Sequence, residues 1–506
     1  MSIGMFRYSV FIVVTLTIFL GTACSEKHRE LPKKTQLSQK TLPIKPNIVF
    51  IYTDDQAPWA LGRSGNQQAI TPNLDTLATE GIYLPNAYVT TPVCSPSRAS
   101  LLTSQYAHEL GITDWININP KAKTLSGHQF GLGLDTRFET WPEVLQTQGY
   151  YNGLIGKWHL GSDDKHHPTK HGYNEFIGFR KGGTTTSSPV LEVNKTDIKH
   201  EGLTIDVLTN YALEFIAQHQ DKTFALSLHY RAPHYRFLPV APEDATPFEK
   251  MKIALPHPDY PDLNTTRATK LMREYLSSVK GIDRNVGRVL TVLDKLNLSE
   301  NTVVIFTSDH GYTIGQNGIW HKGNGYWLLN TPPEGSKNVP SGQRPNLYDN
   351  SLKVPTIVRW PGHIKANTVN QSSMSNLDWF PTIISLAGGT AAPDNIIRGQ
   401  NYIPAFLDEN KILSSDYYAS YSSLHQSLTD MRMYSDGEYK LIRDFKNSER
   451  DEFYHLSIDP LERNNLLEGS VSNEHAILIK KFDQMIIDKM RNTNDPVLNQ
   501  LSGKLN

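Results

Sequence analysis

Four short apolar runs, each ending in polar residues, organise this chain. Residues 47–52 (Asn-Ile-Val-Phe-Ile-Tyr) follow Pro46 and run into Asp54-Asp55. Residues 303–306 deliver Asp309-His310-Gly311, and residues 224–228 lead to His229 and on to Pro233-His234. A weaker run at 150–155 enters Gly156-Lys157-Trp158-His159. Continuous apolar runs of this length predict strands buried on both faces. Helical periodicity lies between them, at 140–148 and 271–296. The alternation predicts an α/β fold with a large, mostly parallel sheet sandwiched by helices. Ligands of such sheets bind beyond the carboxyl ends of the strands, where this chain gathers acids, imidazoles and a lysine.

The pattern changes from about 411. Residues 417–422, 431–434 and 439–444 are short and strand-like, with Asp436-Gly437 as a hairpin turn signal, and 475–490 has helical spacing. These predict a small antiparallel sheet with a terminal helix, giving a catalytic domain over 46–410 and a C-terminal α+β subdomain over 411–506. Residues 376–386 predict a helix near the end of the large domain, closed by Gly388-Gly389.

The first residues differ again. Arg7, an apolar stretch at 10–20 and Gly21-Thr22-Ala23-Cys24 read as a signal peptide over 1–24. The stretch is too short for a membrane span. Small residues before Cys24 favour the lipoprotein type, although Leu20 stands one position early; plain cleavage nearby is the alternative. Residues 25–45, polar with Lys and Pro, form a tether. The chain is therefore expected to be exported to the periplasm or cell surface, touching the membrane only through a lipid anchor.

Composition excludes some partners and isolates one residue. Among 506 residues, 38% are hydrophobic and 20% charged, as in an ordinary globular protein. A net charge of −1 provides no global field for nucleic acid. The two cysteines are Cys24 and Cys94. With Cys24 in the leader, Cys94 has no disulfide partner, and a lone thiol in an oxidising compartment requires a reason.

The adjacent Asp54 and Asp55 repel each other unless a cation or proton lies between them. A metal held by Asp54, Asp55 and Asp309 resolves this, and oxygen ligands favour calcium or magnesium over zinc. Cys94 stands in Thr91-Pro92-Val93-Cys94-Ser95-Pro96-Ser97-Arg98 before a helical run at 99–110. Pro96 suits the first turn of a helix, so Cys94 is placed at the helix N-terminus, where amides and dipole stabilise anions. Arg98 adds a fixed cation. On chemistry alone this pocket would also serve a thiolate nucleophile, as in a cysteine phosphatase.

Cys94-Ser95-Pro96-Ser97-Arg98 resembles the C-x-P-x-R signature of the type I sulfatases, in the alkaline phosphatase superfamily. The wider pattern ends in Gly where this chain has Ser104. Residues 149–159, Gly-Tyr-Tyr-Asn-Gly-Leu-Ile-Gly-Lys-Trp-His, are similar to the second signature, with Asn152 in a slot usually held by Ser or Thr. The stretches 452–456 and 459–466 resemble the closing pattern. The resemblance implies an alkaline phosphatase-like fold and conversion of Cys94 to formylglycine (3-oxoalanine) by a formylglycine-generating enzyme. One hydroxyl of its hydrate attacks sulfur, and deprotonating the other expels sulfate. It further implies Asp54, Asp55, Asp309 and His310 as ligands of Ca2+, with Mg2+ the alternative; His310 stands where many members have Asn. Arg98 would hold formylglycine, Lys157 and Lys322 would clamp sulfate oxygens, His159 would be the base, and His234 the acid for the leaving oxygen.

The expected substrate is a sulfated polysaccharide or its oligosaccharides, such as ulvan, fucoidan, carrageenan or a glycosaminoglycan. Substrate-binding candidates are Arg231 and Arg236, flanking His234, and Trp320 and His321 in a long loop over 318–346. His166, His167 and His171 are expected in a loop without chemistry. The rival readings are a phosphatase or phosphonate monoester hydrolase of the same superfamily and a non-catalytic sulfoglycan-binding protein.

Overall fold

In the computed structural model, which describes residues 45–116, 133–425 and 427–502, the apolar runs become the central strands. These are β1 (Asn47–Asp54), β2 (Tyr151–Lys157), β3 (Glu175–Phe179), β4 (Phe224–Pro233) and β5 (Thr302–Ser308). They lie in the order β5-β1-β4-β2-β3, all parallel. Antiparallel β6 (Ile357–Arg359) joins beside β5, and four shorter strands extend the sheet to ten. The predicted leader with Cys24, and the predicted tether up to residue 44, lie outside the described residues.

The continuous apolar character of β1 has a direct cause: all eight of its residues are buried. Ile48 and Phe50 pack on one face with Trp141, Val144 and Phe380, while Val49 and Ile51 pack on the other with Phe215, Ile282 and Val286. The first face is covered by α1 (Cys94–Thr103), α2 (Trp141–Thr147) and, later in the chain, Trp379–Leu386. The second is covered by α3 (Thr204–Gln218) and α4 (Thr265–Lys295). The predicted sandwich is what forms.

Two helix ends differ from the periodicity. The helix expected over 271–296 starts at Thr265, because the Asn264 side chain accepts the Arg267 N–H at 2.9 Å and caps it. The helix expected to run to 110 stops at Thr103. Ser104 there takes φ 59°, a left-handed C-cap, with its N–H on Ser100 O at 2.9 Å. Glycine adopts this conformation without strain, which explains the glycine of the wider pattern. Ser104 compensates through its hydroxyl, which accepts the Gly399 N–H at 2.8 Å.

The 318–346 stretch is less loop-like than expected. Ile319–His321 and Tyr326–Trp327 pair as a hairpin within a three-stranded sheet. The histidines at 166, 167 and 171 are buried around two 3-10 turns, Asp164–His166 and Pro168–Lys170.

The three predicted C-terminal strands form, as β7 (Tyr417–Ser422), β8 (Asp430–Ser435) and β9 (Tyr439–Asp444), and a fourth that the pattern did not predict, β10 (Glu452–His455), completes one antiparallel sheet. Gly437, at φ 93°, turns the β8–β9 hairpin. The terminal helix α5 (Asn473–Asn492) packs Phe482, Ile486 and Met490 against Tyr418, Leu441 and Phe453. No helix among the described residues is long and apolar enough to cross a membrane.

Candidate active site

Strand register assembles the site. β1 and β5 pair Thr53 with Ser308, so Asp54, Asp55 and Asp309 leave the same edge of the sheet. On the other side of β1, Tyr52 lies beside His229 and Asp54 beside Pro233. Asp55 takes φ 72°, tolerable for Asp, and its N–H donates to Asp309 Oδ1 at 3.1 Å. Lys157 ends β2 and His159 follows it, while His321 and Lys322 come from the hairpin.

Cys94 opens α1 as predicted. Its Sγ lies 3.0 Å from Lys322 Nζ, 3.4 Å from His310 Nε2 and 3.5 Å from Asp54 Oδ1. Three cations face three carboxylates around it. Lys157 Nζ reaches Asp54 Oδ2 at 2.7 Å, Lys322 Nζ reaches Asp55 Oδ1 at 2.6 Å, and Arg98 donates to Asp309 Oδ2 at 2.9 and 3.0 Å. All six are buried, in surroundings where unpaired charge would be costly.

Burial alone would raise all three carboxyl pKa values. Lys157, His234 and Arg98 overcome it at Asp54 and hold that group well below the usual range. Lys322, His234 and His310 do the same at Asp55. At Asp309, burial prevails over His310 and Arg98 and lifts the group to about 7. Burial also drives His159 well below its ordinary value and His234 to about 4, so both imidazoles rest neutral.

The donor set fits a hard divalent cation. Asp54, Asp309, His310 and Cys94 each offer an atom within 4.8 Å of the others. His310 Nδ1 sits 2.9 Å from Gly311 O, which places its hydrogen there. Nε2 then turns a lone pair toward Asp55 Oδ1 at 3.1 Å and Asp309 Oδ1 at 3.4 Å. Acceptors facing acceptors repel unless a cation or a proton lies between them, and Lys322 Nζ meets part of that need at Asp55 Oδ1. Buried Asp55 Oδ2 makes no hydrogen bond. Oxygen donors predominate, which favours calcium or magnesium.

A cavity of about 450 Å³ opens onto Cys94, lined by His159, His234, His321 and Lys322. Trp115, Ile116, Lys181, Gly182, Asn324 and Tyr326 complete much of its wall. No motif or periodicity marks Trp115, Ile116 or Lys181, which reach the cavity only through tertiary packing.

The substrate-binding candidates separate. His321 lines the cavity, held by Asn324 Oδ1 2.9 Å from its Nδ1. Trp320 is outside the lining and packs against Tyr235, Tyr326 and the Arg267 guanidinium. Arg231 is buried and donates to three carbonyls, Thr184 O at 3.0 Å and His234 O and Arg236 O at 2.8 Å each, so it positions the loop that carries His234. Arg236 is exposed. His229 has its Nδ1 3.1 Å from Lys157 O and stays in the layer beneath the cavity.

Gly182 gives a sharp test of His159. A Cβ on Gly182 would stand 2.5 Å from His159 Nε2, and the glycine backbone is one that alanine can adopt. With His159 as the base that the sulfatase resemblance implies, Gly182→Ala should displace the imidazole and lower kcat on an aryl sulfate by about 100-fold, the scale of a 1 Å misplacement. The thermal unfolding midpoint should hardly move. Unchanged kcat would show that the position of His159 does not matter to the slow step.

Comparison with known proteins agrees with this geometry. The sulfatase family model matches residues 46–389, and a model of the C-terminal region of N-sulphoglucosamine sulphohydrolase matches 343–492. An N-acetylglucosamine-6-O-sulfatase of Bacteroides thetaiotaomicron is 25% identical over 90% of this chain and 89% of its own. The N-acetylgalactosamine-6-sulfatase of Mus musculus is 32% identical over 72% and 67%. A solved structure in complex with its substrate, D-glucosamine-2-N,6-O-disulfate, aligns with TM-score 0.74 at 24% identity, covering 90% of this chain and 99% of that one. The signature at Cys94, the carboxylate nest beside it and these matches lead to one conclusion: the chain belongs to the sulfatase family, as a sulfuric ester hydrolase on the alkaline phosphatase-like fold.

Proposed function

We propose that this sulfatase removes sulfate from a sulfated polysaccharide or its oligosaccharides, using formylglycine made from Cys94 by a formylglycine-generating enzyme and a resident Ca2+. The observation that carries the reading is the environment of Cys94, which opens a buried helix N-terminus with Lys322 Nζ 3.0 Å away at the base of a sugar-sized cavity. The substrates of these relatives, sulfated amino sugars, support glycans of that kind. The predicted leader places the enzyme in the periplasm or at the cell surface, anchored through Cys24.

Hydrated formylglycine supplies a hydroxyl nucleophile and a second hydroxyl whose deprotonation releases sulfate. A Ca2+ held by Asp54, Asp55, Asp309 and His310 would add positive charge beside the sulfate. Arg98, Lys157 and Lys322 surround the nucleophile with cations already oriented by Asp309, Asp54 and Asp55. Pre-oriented charge of this kind favours the developing negative charge of the transition state. His159, neutral and buried, accepts a proton. His234 has a hydrogen on Nδ1, 2.6 Å from Tyr235 O, and takes up a second at Nε2 to protonate the departing sugar oxygen. A bound anion favours that uptake by raising the pKa.

The test joins mass and turnover. Protein made with a formylglycine-generating enzyme should show the Cys94 peptide lighter by about 18 Da, as replacement of CH2–SH by CHO requires for a covalent aldehyde catalyst. It should hydrolyse 4-nitrophenyl sulfate far faster than 4-nitrophenyl phosphate. EDTA should abolish the activity and added Ca2+ restore it. Preference for the phosphate would move the assignment to the phosphatase or phosphonate hydrolase class. Binding of sulfated glycans without turnover would make the chain a sulfoglycan-binding protein.

A further inference from the structure

We infer that Lys181 is a specificity-determining residue, which binds a second anionic group, a sulfate or a carboxylate, on the sugar that presents the scissile sulfate. The inference rests on the sulfatase reading and narrows its substrate to polyanionic glycans.

Charge distribution is the first argument. Lys322, which lines the cavity, and the buried Arg98 and Lys157 behind it are each within ion-pair distance of a carboxylate. Lys181 lines the same cavity, is exposed, and among the described residues enters no ion pair. Its neighbour Arg180 is committed to Glu192 at 2.9 Å and Asp164 at 2.8 Å. Lys181 is therefore a cation at the cavity wall whose charge no side chain among the described residues neutralises. The buried base handles the reacting sulfate, which leaves the exposed lysine for a different group of the same molecule.

Rigidity is the second argument. Trp158 N–H donates to Phe179 O at 3.1 Å and His159 N–H to Arg180 O at 3.2 Å, fixing the start of the segment to the catalytic strand end. Arg231 Nε holds Thr184 O at 3.0 Å, and Thr204 holds Thr185 O at 2.7 Å and Thr186 O at 2.9 Å. Lys181 thus stands on a short stretch braced at both ends, which lowers the entropy lost on binding. Gly182 and Gly183 follow without side chains, and both line the cavity, leaving room for a sugar beside His159.

The experiment measures competitive inhibition of 4-methylumbelliferyl sulfate hydrolysis by three sugars. N-acetylglucosamine 6-sulfate carries one anion and no cation, glucosamine 2-N,6-O-disulfate carries a second sulfate, and a chondroitin 6-sulfate disaccharide carries a uronate carboxylate. At least one two-anion sugar should bind wild type roughly five- to tenfold more tightly than the monosulfate, the scale of one charge-assisted contact at a partly exposed site. The sugar that does so identifies the anion. Lys181→Ala should bring that ratio to about one, Lys181→Glu should invert it, and Lys181→Arg should keep it. Equal weakening of all sugars, or a ratio that survives Lys181→Glu, would overturn the inference. Wild type lacking any aryl sulfate turnover would count against the sulfatase reading instead. Calorimetric titration of the same sugars would then still read the ratio.

Discussion

Replacing Cys94 with alanine should lower kcat for 4-nitrophenyl sulfate by a hundred-thousand- to a million-fold, roughly the loss seen when a hydrolase is deprived of its nucleophile. The expected effect is this large because no neighbour can substitute. Asp54 and Asp55 are committed to Lys157 and Lys322, and Ser95 Oγ donates to His159 O at 3.0 Å and accepts the Ile116 N–H. Alanine fits the same helix position and removes only one sulfur from a buried site, so folding should survive. The variant should still bind sulfated sugars, because Arg98, Lys157 and Lys322 remain. Turnover within tenfold of wild type would mean that the nucleophile lies elsewhere, and the role given to the α1 N-terminus would fall with it.

Lys440→Met should destabilise the protein by about 3–5 kcal/mol, the range for breaking a buried ion pair by removing one partner. Lys440 is fully buried in β9 and bonds the carboxylates of Asp349 and Glu462, the latter at 2.7 Å. Glu462 also accepts the Asp349 N–H at 2.6 Å, and Tyr417 donates to Asp349 at 2.5 Å. Methionine would fill the space and leave Glu462 without a cation, while Asp349 keeps Lys353 at 2.9 Å. The deficit should depend on pH. Burial, against the pull of Lys440, lifts Glu462 from 4.5 to about 7. Between those values the folded state holds more protons than the unfolded chain, so this group's contribution to stability falls as pH rises. Without Lys440 the carboxyl is harder still to ionise. Urea unfolding followed by tryptophan fluorescence should therefore give a small deficit at pH 5 and a large one at pH 8. A flat deficit below 1 kcal/mol would show that water solvates the cluster.

This cluster also explains one of the motifs in physical terms. In the closing pattern, Glu462 is the buried partner of Lys440, and Asn465 Oδ1 accepts the Phe453 and Leu467 N–H groups. The motif is structural, joining the C-terminal sheet to the segment around Asp349. Nothing in its spacing announced that Lys440 was its counterpart.

Some features are local and therefore legible. Residues 47–52, 224–228 and 303–306 read as buried strands because their apolar character is unbroken, and the acids and imidazoles that follow them had to gather at one sheet edge. Cys94 read as the start of a helix because Pro96 fits a first turn. Asp436-Gly437 read as a turn because glycine tolerates φ 93°. Other features depended on groups far along the chain. The stop at Ser104 follows from a left-handed residue whose hydroxyl meets Gly399, and Arg231 became a brace because Thr184, His234 and Arg236 present carbonyls to it. Trp115 and Lys181 reach the cavity from segments with no motif of their own.

Periodicity, helix starts and turn chemistry act over a few residues, so the local pattern was enough for the central strands, the helix that begins at Cys94 and the residue types at the reacting centre. Long-range packing settled which carboxylate meets which cation, which arginine is consumed in bracing, and which lysine faces the cavity with no counter-charge among the described residues. Those outcomes depend on distances between residues up to 267 positions apart, as with Lys322 and Asp55. Only the packed sheet and its loops set distances of that kind.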